Sequence, residues 1–263
     1  MRDRLARSVL GDLWRRAEAL NLATLSLALA AQQMLCTAPL LVAFSVVARR
    51  TKGASIGPPL ARYLGLSHRA SDVVVGLFAG KNSVSNFDTV VGLGLGLLFA
   101  TGVASTQQRG YELIWSRPRP EAARAVLRQM LWVVGLCVYV LVVFYAGGVG
   151  RRVGDLVEAG QPAGPLVQFL VSALFFWWGL HLLLSGQVRW LHLLPSALFG
   201  ALGMSALVAL SGPLMSSQLV SQVHDYGLLG ATFVLSLWLV ALSTIVFGST
   251  FLGAALADRR GWV

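Results

Sequence analysis

The stretch YGLLGATFVLSLWLVALSTIVFGSTFLGAALA, from Tyr226 to Ala257, decides the fold, because no charged residue interrupts the chain between Asp225 and Asp258. A helix rises about 1.5 Å per residue, so roughly 20 apolar residues cross a hydrocarbon core of about 30 Å. This stretch is longer, and it can span with some tilt or extend past one face. Alone it would also suit a buried helix of a soluble protein. Because similar runs recur along the chain, we interpret it as an all-α integral membrane protein.

The composition supports this interpretation. Of the 263 residues, 56% are hydrophobic and 12% are charged, and the mean hydropathy is +0.70. The formal net charge is +10, but the arginines flank apolar runs, which is typical of membrane interfaces and argues against a nucleic-acid partner. Cys36 and Cys137 lie in apolar runs without CxxC spacing or neighbouring histidines. The sequence therefore predicts no metal site and no cofactor.

The apolar runs predict six transmembrane helices, at about residues 21–48, 87–107, 127–148, 166–185, 194–215 and 227–256. Residues 1–20 are predicted to form a cytoplasmic amphipathic helix, with a plain solvated helix end as the alternative. Residues 49–86 are predicted to be an extracytoplasmic connection of short surface helices, and residues 258–263 a cytoplasmic tail. The basic residues of 109–128 favour cytoplasmic termini, although those of 49–86 run against it. The predicted contacts with anionic lipid are Arg15, Arg16, Arg117 and Arg119.

The first predicted span contains polar residues at helical spacing. Gln32 and Gln33 lie near its middle, followed by Thr37 and by Pro39, which tends to kink a helix. Glutamines are costly in lipid, so we expect them to face other helices or a hydrated cavity. Interhelical hydrogen bonding and a substrate path remain equal alternatives. Candidate residues facing them from the second span are Thr101, Ser105 and Gln108.

Small residues recur every four positions and predict close helix packing. The second span carries Gly92, Gly96 and Ala100, the fifth span carries Ala201, and the last span pairs Gly227 with Ala231 and Thr244 with Gly248. Asp88 lies where the second span begins. It is interpreted as a helix-start acid more readily than as a proton carrier.

Four segments together resemble the YihY/BrkB family, once labelled ribonuclease BN-like. They are Ala38–Leu41, the YELIW segment Tyr111–Trp115, Val188–Trp190 with Leu194-Pro195 and Ala197, and Tyr226–Ala231 with Trp238-Leu239. The resemblance implies a six-helix bacterial inner-membrane protein with cytoplasmic termini. It also implies a role in envelope integrity, serum resistance or export of lipid-like molecules.

The chain departs from the family pattern at two places. Gln32 and Gln33 stand where the family usually has aromatic residues, and Thr250 follows Gly248-Ser249 where the family usually has a glutamate. No acidic site is therefore carried onto the last helix.

The first hypothesis is a transporter or translocator of a lipid-like or amphipathic envelope component. The alternative is a non-transporting scaffold or accessory subunit, which would bind other membrane proteins or a second copy of itself. An enzyme is not expected. A metal-dependent nuclease needs clustered histidines and carboxylates, whereas the four histidines are scattered, at His68, His181, His192 and His224.

Overall fold

The computed structural model describes residues 9–50, 86–118, 120–156, 163–215, 221–222 and 228–260, and no strand occurs in these ranges. The helices are α1 (Val9–Ala19), α2 (Leu22–Arg50), α3 (Asn86–Ile114), α4 (Ala122–Leu156), α5 (Ala163–Leu183), α6 (Trp190–Leu210) and α7 (Leu228–Arg259). A short π-helical turn, Ser211–Met215, follows α6. The predicted all-α class is confirmed.

Helices α4 to α7 each contain a segment long and apolar enough to cross a membrane. These segments are Ala122–Val143, Pro165–Leu183, Trp190–Leu214 and Leu229–Arg259. A fifth arises if α1 and α2, which meet at a bend of 51°, count as one span. Only 17% to 28% of these segments is buried inside the bundle. Such extensive outward apolar surface requires an apolar solvent, so the protein is membrane-embedded.

The long helices form a closed ring in chain order. Each of α2 to α7 contacts the next along the chain, and α7 returns to contact α2. Between α5 and α6 the link is short. The chain reverses there through Ser185 and Gly186, which have φ of 62° and 70°. Helix α3 lies deepest, because it also contacts α7 and α5 across the ring.

The described helices overlap all six predicted spans, but their ends differ. Helix α3 continues to Ile114, past the predicted end at residue 107, because neighbouring helices bury its polar end. The N-terminal helix is described from Val9 and packs on the bundle core through Leu13 and Ala17, while Trp14 is 74% exposed. The predicted surface connection 49–86 falls almost entirely outside the described residues.

Candidate functional site

The polar residues of α2 contact two different helices. The amide of Gln32 lies directly against Gly102 of α3, where a Cβ would overlap Gln32 Nε2 and lie 3.1 Å from Cδ. One end of the same interface is formed by Pro39, whose Cβ lies 3.8 Å from the position a Cβ would take at Gly96. Because Gly102 has no side chain, there is space for the Gln32 amide between α2 and α3.

Gln33 faces the last helix instead. Its Oε1 accepts a hydrogen bond of 3.1 Å from Ser243 Oγ of α7, and Ser243 is fully buried. Thr37 Oγ1 donates to the carbonyl oxygen of Gln33 at 3.0 Å, so its hydroxyl is satisfied within α2. These contacts match the interhelical alternative for the glutamines. A part in a substrate path stays a prediction.

The three α3 residues predicted to face Gln32 and Gln33 form their hydrogen bonds with other residues. Thr101 Oγ1 donates to the Leu98 carbonyl at 2.7 Å, and Ser105 Oγ donates to the Gly102 carbonyl at 2.9 Å. Gln108 lies farther along α3, and its hydrogen bonds are to residues other than the glutamines of α2.

A buried group of polar side chains occupies the last turns of α3. We call Gln107, Gln108, Tyr111 and Glu112 the α3 polar cluster; each is at most 6% exposed. Gln108 Nε2 donates to Glu112 Oε1 at 2.8 Å, and Gln108 Oε1 accepts from Gln129 of α4 at 2.9 Å. Glu112 is the buried carboxyl group that the sequence interpretation overlooked when it considered only Asp88, whose side chain lies outside the described residues.

The other half of the cluster faces α7. Gln107 Nε2 donates to the Tyr111 hydroxyl at 2.6 Å, and that hydroxyl is also hydrogen-bonded to the Thr250 side chain. Tyr111 stands edge-on to Phe247, with ring centroids 6.2 Å apart. It lies beyond the predicted end of the second span at residue 107 but inside α3. The hydroxyl therefore links α3 to α7.

A cavity of about 210 Å³ opens beside the end of the cluster. Its wall comes from α1, the end of α3 and the end of α7, and consists of Arg16, Ala19, Leu20, Leu113, Ile114, Trp115, Ser116, Phe251, Ala254, Ala255 and Asp258. An ion pair of 2.7 Å between Arg16 and Asp258 joins α1 to α7 there. Trp115 is 2% exposed, and its indole N–H has no hydrogen-bond partner among the described residues.

The predicted lipid-contacting arginines differ in their surroundings. Arg15 is exposed and pairs with Asp12 of its own helix, and Arg16 pairs with Asp258. Arg117 is half-buried, and within the described part of the chain its Nε has no partner. Arg119 lies outside the described residues. Contact of these arginines with lipid stays a prediction.

The small-residue predictions have mixed outcomes. Gly96, Ala201 and Ala231 are buried, Ala201 completely, and Ala100 is partly buried against the core. The predicted packing of Gly248 is wrong, because a Cβ there would meet nothing within 4 Å. Its partner Thr244 is exposed. The surroundings of Gly92 and the whole of Gly227 are not among the described residues.

A close approach between α6 and α7 occurs at a glycine that the sequence interpretation did not select. A Cβ at Gly253 would lie 2.6 Å from Cα of Ser196 on α6. Four-residue spacing finds rows of small residues, but it does not say which row meets a neighbour.

In the described part of the chain, no three His, Cys, Asp or Glu side chains gather into a group that would hold a metal ion. No protein-family model, curated protein or solved structure matches this chain.

Proposed function

We propose that this chain is a six-span protein of the YihY/BrkB type in the bacterial inner membrane, and that it translocates a lipid-like or amphipathic envelope component. The observation that carries the proposal is a succession of polar contacts along the length of α3, which we call the polar line although they lie on more than one side of the helix. It begins where Gln32 lies on Gly102 and ends at Glu112. Ten residues of helix correspond to about 15 Å, half of a hydrocarbon core of about 30 Å.

Polar side chains within an apolar bundle are costly and commonly mark substrate or ion pathways. Here the polar line leads to the cavity of about 210 Å³ next to Trp115. A substrate with a polar head would exchange hydrogen bonds with these amides while its apolar part stays in lipid. This use of the groups requires that the contacts of Gln32 and Gln33 open transiently.

The six-span topology has geometric support beyond the four segments that are apolar enough by themselves. Helices α2 and α3 each have 29 residues, which gives about 43 Å of helix, more than a hydrocarbon core requires. The Arg16–Asp258 ion pair brings the N-terminal helix and the end of α7 together. Both termini then lie on one side, and the arginine distribution favours the cytoplasm.

The scaffold alternative also has a specific observation in its favour. Gln33 is already bonded to Ser243, and Gln32 already fills the space over Gly102. Interhelical hydrogen bonds of this kind hold membrane bundles together without any transport role. In that case the outward leucine surfaces and the open face at Thr244 and Gly248 would bind other membrane proteins.

The deciding experiment measures lipid movement by the purified protein in vesicles. The vesicles carry fluorescent phosphatidylglycerol in both leaflets, and a membrane-impermeant reductant reports how much label reaches the outer leaflet. We expect wild-type protein to expose inner-leaflet label. The double variant Gln32→Leu/Gln33→Leu should abolish this movement while the amount of folded protein is unchanged.

Thr244→Ala is the matched control, because Thr244 is exposed and its hydroxyl donates only to Val240 of its own helix. It should move lipid like the wild type. If Gln32→Leu/Gln33→Leu loses folding and movement together, the glutamines are structural. A wild-type protein that moves no lipid but isolates with a stoichiometric membrane partner would replace the proposal with the scaffold alternative.

A further inference from the structure

The outer surface of α6 and α7 carries two adjoining grooves that take no part in the proposed pathway. Their volumes are about 120 and 370 Å³. Both are bordered by Phe199 of α6 and Leu256 of α7, which form a ridge between them. The smaller groove is completed by Leu13, Leu252, Ala255 and Arg259, and the larger by Leu194, Pro195, Leu198 and Arg260.

The grooves share one arrangement of chemistry. Each has apolar walls along the helices and one arginine, and the two arginines are consecutive at the end of α7. Leu252 and Leu256 of α7 and Arg260, which directly follows α7, are spaced four residues apart. The Arg260 amide still donates to the Leu256 carbonyl at 3.3 Å, so the three lie along one helical face. The arginines are therefore about one helical turn beyond the ridge, where a long cationic side chain reaches the headgroup region.

The local charge is complementary to an anion. Asp258 is the acidic residue next to these arginines, and its carboxylate is bound at 2.7 Å by Arg16 of α1. Among the described residues at this end of α7, the formal charges of Arg16, Asp258, Arg259 and Arg260 sum to +2, which favours an anion. A phosphate diester between two arginines is a favourable pairing.

We propose that this surface is a binding site for one anionic diacyl phospholipid, with its phosphate at Arg259 and Arg260 and one acyl chain on each side of the Phe199–Leu256 ridge. Two grooves on either side of one ridge match two chains joined to one headgroup. This site is distinct from the polar line of α3 and holds whether or not the protein translocates lipid.

The test is competitive lipid retention by the full-length protein. The protein is reconstituted with equal amounts of phosphatidylglycerol and phosphatidylethanolamine, extracted gently, and its bound lipid is counted by native mass spectrometry. Wild-type protein should retain one phosphatidylglycerol in preference to phosphatidylethanolamine. Arg259→Gln/Arg260→Gln should lower that preference about tenfold to thirtyfold, since each arginine near a membrane surface contributes attraction to anionic lipid.

The matched control is Arg124→Gln/Arg189→Gln, which removes the same charge from two exposed arginines that line neither groove. It should keep the wild-type preference. Leu198→Trp supplies an independent variant, because the larger side chain would fill the larger groove without changing charge; it should also lose the retained lipid. Thermal unfolding of each variant shows that the bundle is intact.

Three outcomes overturn the site. Equal loss in both arginine pairs would mean general surface attraction, and unchanged retention in Arg259→Gln/Arg260→Gln would mean that the grooves hold no phosphate. A change in oligomeric mass without a change in lipid would identify the grooves as an interface between two copies of the chain. Gln32→Leu/Gln33→Leu should keep this lipid, because these glutamines line neither groove. The lipid-retention result therefore tests the site even if the protein translocates no lipid.

Discussion

The contact between α6 and α7 at Gly253 allows a quantitative test of the packing. A Cβ at Gly253 would overlap Ser196 Oγ and lie 2.5 Å from the backbone nitrogen and 2.6 Å from Cα of Ser196. Cβ atoms essentially never come within 3.0 Å of a neighbour, and ordinary contact begins at 3.4 Å. Because two of these three atoms belong to the backbone, rotating a side chain does not relieve the overlap. The helices themselves must separate by about 0.9 Å for the backbone nitrogen to reach 3.4 Å.

This separation sets the expected cost of Gly253→Ala. Overpacking of this kind typically costs about 1–3 kcal/mol. The shift also lengthens the hydrogen bond from Ser196 Oγ to the Thr250 carbonyl, which is already 3.4 Å. Alanine favours the helix over glycine by about 1 kcal/mol, which offsets part of the loss. We therefore expect a net destabilisation of about 1–2 kcal/mol.

Gly248→Ala is the matched control on the same helix. A Cβ at Gly248 meets nothing within 4 Å, so only the gain in helix propensity remains, and the free energy of unfolding should stay the same or rise by up to about 1 kcal/mol. Unfolding in mixed micelles with increasing SDS, followed by circular dichroism, measures both variants. If Gly253→Ala is as stable as Gly248→Ala, α6 and α7 do not approach each other as described.

Two further predictions concern the contacts of α2. Gly102→Ala should cost about 1 kcal/mol, because the added methyl displaces the flexible amide of Gln32 rather than backbone. When Gly102→Ala is combined with Gln32→Ala in a double-mutant cycle, most of the cost of Gly102→Ala should disappear. If the two single-variant losses of unfolding free energy simply add in the SDS assay, Gln32 does not contact Gly102 as described. Ser243→Ala leaves Gln33 Oε1 without its donor and should cost about 0.6–1.7 kcal/mol in the same assay. Thr244→Ala, at the exposed neighbouring position, should be neutral, and equal effects of the two substitutions would refute the assigned hydrogen bond.

Hydropathy was sufficient to predict the helices because the length of an apolar run is a local property of the chain. It was insufficient at the end of α3. Gln107, Gln108 and Glu112 look like the end of a span, yet all three are buried by neighbouring helices. A local signal was present, because Gln107–Tyr111 and Gln108–Glu112 are both pairs at i, i+4. What the sequence did not contain is the position of Gln129, which lies 21 residues away from Gln108.

The same limit explains the small-residue rows. Spacing of four residues places Gly248 and Thr244 on one face of α7, but it does not state what lies opposite that face. The structure leaves that face open and brings α6 against Gly253. For the glutamines, residue type predicted a choice between two environments, other helices or a hydrated cavity. Only tertiary packing placed Gln32 against α3 and Gln33 against α7.

The position of α3 constrains how any pathway along it would work. Adjacent residues on a helix point about 100° apart, and accordingly Gln108 is bonded to α4 while Gln107 and Tyr111 are bonded toward α7. Gln32 of α2 contacts a third side of α3, at Gly102. A large displacement of α3 would break all these polar contacts in a medium that offers few replacements. If α3 carries the pathway, it therefore stays fixed while a substrate passes along its surface, and the moving element is α2, whose contacts through Gln32 and Gln33 open.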